Sequence, residues 1–304
     1  MQSDYSYFNC MITLTNAVIS ATINPKGAEL VNLIHKATQI DYMWSADPAF
    51  WGKSSPVLFP VVGALKDNNF IYKGETYTLP RHGFARERVF EVESQTENSV
   101  TFLLKSDEAS KKVFPFTFEF RLHYTLDENR LHVKYEVTNT GDAEMFFSVG
   151  GHPAFRVPLA DGTSYEDYYL EFNAEEDLMR WPLADGGLIE TMPEKLPVNN
   201  NRIPLTKELF YQDALVFKHL QSDSVVLKSD KTHHQLRFYF KDFPFLGIWA
   251  AKDADFVCIE PWCGIADSVS HNQQLTEKEG INQLNAKENF ERTWGVEIVR
   301  SAAQ

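Results

Sequence analysis

Apolar and polar residues alternate with a period of two along most of this chain. Residues 131–138 show it best: Leu131, Val133, Tyr135 and Val137 are separated by polar positions. That period puts alternate side chains on opposite faces of a strand. Comparable short runs, rich in aromatic and β-branched residues, occupy 17–23, 29–35, 42–44, 69–72, 75–79, 89–94, 100–105, 116–125 and 144–149. They resume at 214–218, 224–228, 235–240, 247–250, 256–260 and 292–300. Turn formers separate them: Asn24-Pro25-Lys26-Gly27, Lys73-Gly74, Asp127-Glu128-Asn129 and residues 139–143. Lys73-Gly74 between two alternating runs predicts a tight hairpin. Residues 107–113 are expected to form one short helix, and residues 173–207, rich in Pro, Asn, Gly and acids, mostly loops. Many short strands with regular turns predict an all-β fold, a large antiparallel β-sandwich or barrel. No repeat or linker divides the chain. Residues 11–304 are expected to be a single domain, and residues 1–10 a disordered extension ahead of it.

One run departs from alternation. Residues 256–262 read Phe-Val-Cys-Ile-Glu-Pro-Trp, four apolar residues leading directly into an acid. A continuous apolar run predicts a strand covered on both faces. Proline donates nothing to a ladder, so Pro261 is expected to end or edge that strand, with Glu260 at its terminus. A carboxylate among apolar neighbours is costly to bury alone. It is therefore either tied into a salt bridge or held ready for proton transfer.

Composition narrows the partners. The chain has 304 residues, 29 basic and 42 acidic, for a net charge of −13. No long basic run is present, which disfavours nucleic acid and anionic membranes. No apolar run reaches transmembrane length, and residues 1–10 lack the apolar core of a signal peptide. Three cysteines, Cys10, Cys258 and Cys263, cannot form a paired framework, which fits a reducing cytoplasm. Gly-x-Ser-x-Gly elbows, phosphate-cradling glycine loops and His-x-His pairs are absent from the sequence. Cys258 and Cys263 lack the close spacing of a zinc site. No metal or cofactor is expected.

Four further residues stand out. His152 lies in Gly150-Gly151-His152-Pro153, where two glycines let the chain bend and the proline holds His152 extended. Its reference pKa of about 6.5 suits it to give or take protons near neutrality. His82 lies in Pro80-Arg81-His82-Gly83-Phe84-Ala85-Arg86, and arginines there offer several hydrogen bonds to hydroxyls or anions. Asp213 precedes the apolar run at 214–218, and Trp249 offers a rigid surface for the apolar face of a sugar. Each also has a plainer reading: a turn with an incidental histidine, a basic loop, a cap, a core tryptophan.

Together these residues carry a resemblance. The chain resembles the aldose 1-epimerase (galactose mutarotase) family, in particular its LacX-like branch. The matching segments, in order, are residues 55–63 (Ser-Pro-Val-Leu-Phe-Pro-Val-Val-Gly), 80–86, 151–155 (Gly-His-Pro-Ala-Phe), 213–217 (Asp-Ala-Leu-Val-Phe) and 259–264 (Ile-Glu-Pro-Trp-Cys-Gly). The resemblance implies a galactose mutarotase-like supersandwich with an open sugar cleft on one sheet. It implies Glu260 as general base, His152 as general acid, and His82 and Asp213 as substrate ligands.

The chemistry implied is anomer exchange on an aldohexose. One group removes the C1 hydroxyl proton, another protonates the ring oxygen, the ring opens, and it closes on the other face. At pH 7 a glutamate near its reference pKa is ionised and a histidine partly protonated, and Asp213 is expected to favour the imidazolium. Family members carry a sugar-contacting arginine in the segment matching residues 63–68, which here reads Gly-Ala-Leu-Lys-Asp-Asn. Lys66 and Arg86 are the candidates to replace it. Arg81, Arg86 and Arg88 cluster around His82, and on a strand Arg86 and Arg88 share a face, which leaves a hexose 6-phosphate as an alternative substrate. The acidic net charge and Ala64 favour a free aldohexose. A non-catalytic carbohydrate-binding protein and a glycoside hydrolase are the other readings. Binding alone does not need both Glu260 and His152, and hydrolysis across two carboxylates would leave His152 idle. The protein is expected to act as a monomer or homodimer.

Overall fold

A computed structural model describes residues 10–198 and 201–300. Apart from Cys10, which is exposed, the expected extension at 1–10 lies outside the described residues.

The long hairpin of strands Phe118–Asp127 and Arg130–Asn139 has the longest register in the fold's ladders. Its ten residue pairs run from Phe118 opposite Asn139 to Asp127 opposite Arg130. Phe118, Phe120, Leu122, Tyr124 and Leu126 point to one face with Leu131, Val133, Tyr135 and Val137, all buried. Burying each such side chain contributes about 1.5–3 kcal/mol, so a register slip would expose the whole set. Among the described residues this hairpin belongs to a nine-stranded antiparallel sheet that includes Glu91–Gln95 and Ser99–Lys105 and has the last strand, Asn289–Arg300, at its centre.

A second, six-stranded sheet packs against it. Phe155 sits against Phe238 and Phe217 against Phe172, each pair joining one sheet to the other. The strands of this second sheet are Val57–Leu58, Val149–Gly151, Ala154–Arg156, Leu215–Lys218, Phe245–Trp249 and Phe256–Cys263. A four-stranded sheet, Ile12–Thr15 to Ile40–Asp41, closes one side. The fold is the all-β, antiparallel sandwich that the alternation predicts.

Local expectations hold where they rest on local chemistry. Strands Asn69–Tyr72 and Glu75–Thr78 pair across Lys73 and Gly74, both at positive φ, as a two-residue hairpin turn requires. The expected helix at 107–113 shrinks to Glu108–Lys111, capped by the Asp107 side chain accepting the Ser110 N–H.

The expectation for Pro261 is wrong. The strand runs through it to Cys263 and lies inside the sheet, with Pro261 opposite Leu246 on one side. On the other side the partner is broken: Val149–Gly151 pairs with residues 262–263, and Ala154–Arg156 with 256–258. His152-Pro153 forms the break, opposite Ile259–Pro261. A missing N–H costs nothing where no ladder partner stands, which is why proline is tolerated there.

Candidate active site

The same break aims His152. Alternation along the strand Phe256–Cys263 turns Val257 and Ile259 toward the sandwich core and Cys258, Glu260 and Trp262 the other way. His152 leaves the interrupted neighbouring strand at the level of Glu260, and its Nε2 stands 3.3 Å from Glu260 Oε2. Both residues are buried, yet both line an open cleft of about 800 Å³. Gly151 leaves no room for a side chain: a Cβ there would meet the Tyr135 hydroxyl at 2.6 Å. That hydroxyl accepts the buried Trp294 indole N–H at 2.7 Å. The backbone beside His152 thus rests on a fixed polar pair in the core. Gly247, paired with Glu260, does the same for Trp262, whose ring would lie 2.4 Å from a Cβ at that position.

Aromatic rings fix the imidazole. Trp51 stacks on His152 with ring centres 4.9 Å apart, while Trp249 and His82 meet it edge-on at 5.6 and 5.7 Å. Trp51, Trp249 and Trp262 line the cleft, which gives apolar walls around a polar base.

His82 is held at both ends. Its backbone, at φ 69°, donates to the Gly63 carbonyl at 2.9 Å, and the Gly63 N–H donates back to His82 Nδ1 at 3.1 Å. Accepting at Nδ1 fixes the neutral tautomer with its proton on Nε2. Burial holds its pKa well below 6.5, with Arg81 and Arg86 adding positive charge nearby.

The mouth of the cleft is charged. Arg81 lies 3.8 Å from Asp213, and Arg86 donates to the Arg81 carbonyl at 2.9 Å. Asp213 sits at φ 80° with its side chain accepting the Ala214 N–H. Arg81, Arg86, Asp213, Lys252 and the loop around Gly186-Gly187 all face the cavity.

Burial dominates the acid–base pair. It pushes the Glu260 carboxyl well above its ordinary 4.5; Arg81 pulls it back down and Asp213 adds to the rise. Burial lowers His152 to about 3, with Arg81 and Arg86 repelling an imidazolium. His152 is therefore a neutral imidazole in the free protein, and burial works against the carboxylate form of Glu260. This corrects the expectation of an imidazolium favoured by Asp213, and the shift at Glu260 runs against ready ionisation. Removing both groups from water outweighs the neighbouring charges.

Of the expected residues, the cleft gathers Glu260, His152, His82, Asp213, Arg86 and Trp249. It does not include Lys66, whose ammonium donates instead to the carbonyls of Val269 and His271 at 3.0 and 3.2 Å. Arg86 and Arg88 do not share a strand face. Residues Ala85–Glu87 form a single 3-10 turn, and Arg88 points away, to Asp107 at 3.3 Å and over the Phe84 ring. Sequence reasoning overlooked Trp51, which no motif marks. It also passed over the wall around Gly186-Gly187, buried in a loop-rich stretch with no periodicity. Arg81 entered only through the basic cluster around His82, and its approach to Asp213 was not foreseen.

The cleft thus brings a buried histidine and a buried glutamate together beneath tryptophan walls on a large antiparallel sandwich. The family model described as Aldose 1-epimerase matches residues 11–279, and the chain belongs to that family of sugar isomerases. It is 32% identical over 298 residues to the chromosomal protein LacX of Lactococcus lactis subsp. lactis, covering 95% of this chain and 99% of LacX. A galactose mutarotase related enzyme from Lactobacillus acidophilus superposes with a TM-score of 0.91 at 38% identity, covering 95% of this chain and 97% of that one. A galactose mutarotase-like protein from Lactobacillus casei ATCC 334 gives 0.89 at 31% identity, covering 95% and 100%. Among the described residues no helix is long and apolar enough to cross a membrane.

Proposed function

We propose that the cleft interconverts the α and β anomers of a free aldohexose, with Glu260 as general base toward the C1 hydroxyl and His152 as general acid toward the ring oxygen. The observation that carries this reading is the 3.3 Å approach of His152 Nε2 to Glu260 Oε2 in the cleft. A buried pair holding one proton always presents one donor and one acceptor, and anomer exchange needs one of each. In the resting pair burial favours the proton on Glu260. The short separation lets it cross to His152, and Arg81 favours the carboxylate that results. His82 offers its fixed Nε2–H to a sugar hydroxyl, and Asp213 and Arg86 hold further hydroxyls at the mouth. Trp249, with Trp51, packs the apolar face of the ring. Residues 11–304 act as one domain in this reading, and the unpaired cysteines suit a cytoplasmic setting.

The basic cluster bears on the substrate. Of Lys66, Arg81, Arg86 and Arg88, only the arginines at 81 and 86 face the cavity, and Arg81 already faces Asp213. A phosphate dianion needs concentrated, uncommitted positive charge, so a free sugar is favoured over a hexose 6-phosphate. Polarimetry of fresh α-glucose, α-galactose and the matching 6-phosphates, in buffer containing EDTA, tests this. Rapid equilibration of a free sugar is expected. A higher kcat/KM for the phosphate, lost in Arg86→Ala and weakened by salt, would reverse the choice of substrate. Failure to speed any of these sugars would remove the reading.

A further inference from the structure

Cys258 has no part in the acid–base scheme, yet it stands beside it. It lies two residues before Glu260 on one strand, so both side chains leave the same face. Cys263, five residues on, falls on the alternate face. The Cys258 Sγ, one carboxylate oxygen of Glu260 and one ring nitrogen of His152 lie within 4.8 Å of one another, and all three residues are buried. Zinc binds sulfur at about 2.3 Å and imidazole or carboxylate at about 2.0–2.2 Å, in tetrahedral arrays. Those lengths put ligand atoms roughly 3.3–3.6 Å apart. The His152–Glu260 separation of 3.3 Å already meets this. Cys258 Sγ, within 4.8 Å of both, is the ligand that must draw closer on binding.

We propose that His152, Cys258 and Glu260 form an inhibitory site for a borderline or soft divalent cation of the zinc type, with the fourth position open to the cleft. The donor set decides the class of ion. A thiolate and an imidazole favour zinc, cadmium or copper, whereas magnesium and calcium seek oxygen ligands alone. Inhibition follows from the proposed function, on which this part rests: an ion held there occupies the lone pairs of both the base and the acid. Trp51 and Trp249 pack around His152, and the cleft that His152 and Glu260 line is the way in, with Cys258 buried beside them and outside the lining. The site is invisible in the sequence because one ligand comes from a distant strand break.

The test uses the full chain carrying Cys10→Ser, which removes the exposed thiol. Titration with cadmium, read by the thiolate-to-cadmium charge-transfer absorption in the ultraviolet, is expected to saturate at one ion per chain and to be displaced by zinc. The same zinc additions should slow anomerisation, with EDTA restoring the rate and magnesium and calcium without effect. Cys258→Ala should abolish the absorption and raise the half-inhibitory zinc concentration by at least about 100-fold, scored against that variant's own zinc-free rate. Cys258→Ser keeps the volume should the alanine variant fold poorly, and it should likewise abolish the absorption. Absence of a thiolate band, its survival in both variants, or undiminished zinc inhibition in them would overturn the proposal. The absorption reads the metal site directly, so a protein inactive on every sugar would still decide this question separately from the epimerase reading.

Discussion

Glu260→Gln separates the chemical role of this carboxylate from its structural one. The amide keeps the shape of the side chain and loses the ability to accept a proton at C1. General acid–base groups supply about 10²–10⁴ in rate, which at about 1.4 kcal/mol per decade raises the barrier by roughly 3–5 kcal/mol. The effect on stability has the opposite sign. Burial holds the folded-state pKa of Glu260 above the ordinary 4.5. As pH rises past that ordinary value the unfolded chain ionises first, so the native protein loses stability until the raised value is reached. Each pH unit in that window costs up to about 1.4 kcal/mol. Glutamine cannot ionise and escapes the cost. Polarimetry of fresh α-galactose, with Tm measured near pH 4 and pH 8, reads both effects. The variant should be slower by at least about 100-fold, with a Tm close to wild type at the lower pH and above it at the higher. A rate within about tenfold of wild type in a folded variant, or a lower Tm at pH 8, would show that Glu260 is a structural anion and refute the reasoning.

Other outcomes follow from the same geometry. His152→Asn should lower kcat by about 10²–10⁴ and leave KM nearly unchanged in polarimetry, because the proton reaches the ring oxygen in the transition state. His82→Asn, an exchange that tolerates the positive φ, should flatten the fall of Tm between about pH 7 and pH 5. Folded His82 resists protonation, so wild type loses stability as pH drops below about 6.5, where the unfolded histidine takes a proton. Lys278→Met should cost about 3–5 kcal/mol in denaturant unfolding, since Lys278 Nζ pairs with the buried Asp267 carboxylate at 2.6 Å. Adding Asp267→Asn should recover part of that loss by removing the stranded charge.

The fold was readable where strands pair with their neighbours in sequence. The hairpins at 69–78 and 118–139 need only alternation and a turn, and both are local signals. The strands Ala154–Arg156 and Tyr168–Phe172 went unanticipated. They are short, and their pairing partners lie far along the chain, so no local pattern announces them. Arg88 was misplaced for a related reason. Reading a strand through residues 86–88 assumes extended backbone, and one 3-10 turn is enough to send Arg88 to Asp107. Lys66 carried the right charge for a ligand. However, the Val269 and His271 carbonyls satisfy that charge outside the cleft.

The site itself was half legible. Residue types and order pointed to Glu260 and His152, and the cleft joins them. The shifts at both groups were missed, because reference pKa values describe groups in water, whereas these two are buried. The strand break explains both the success and the error. Opening the ladder at His152-Pro153 makes Pro261 harmless, lets an imidazole enter where a backbone partner would stand, and brings it to Glu260 on a sheet interior. A side chain aimed from inside a sheet is rigid, which suits proton transfer over a short distance. It is also poorly solvated, which works against the charged form of each group. One backbone irregularity thus sets position and pKa together. Any variant that repairs the ladder there should lose both.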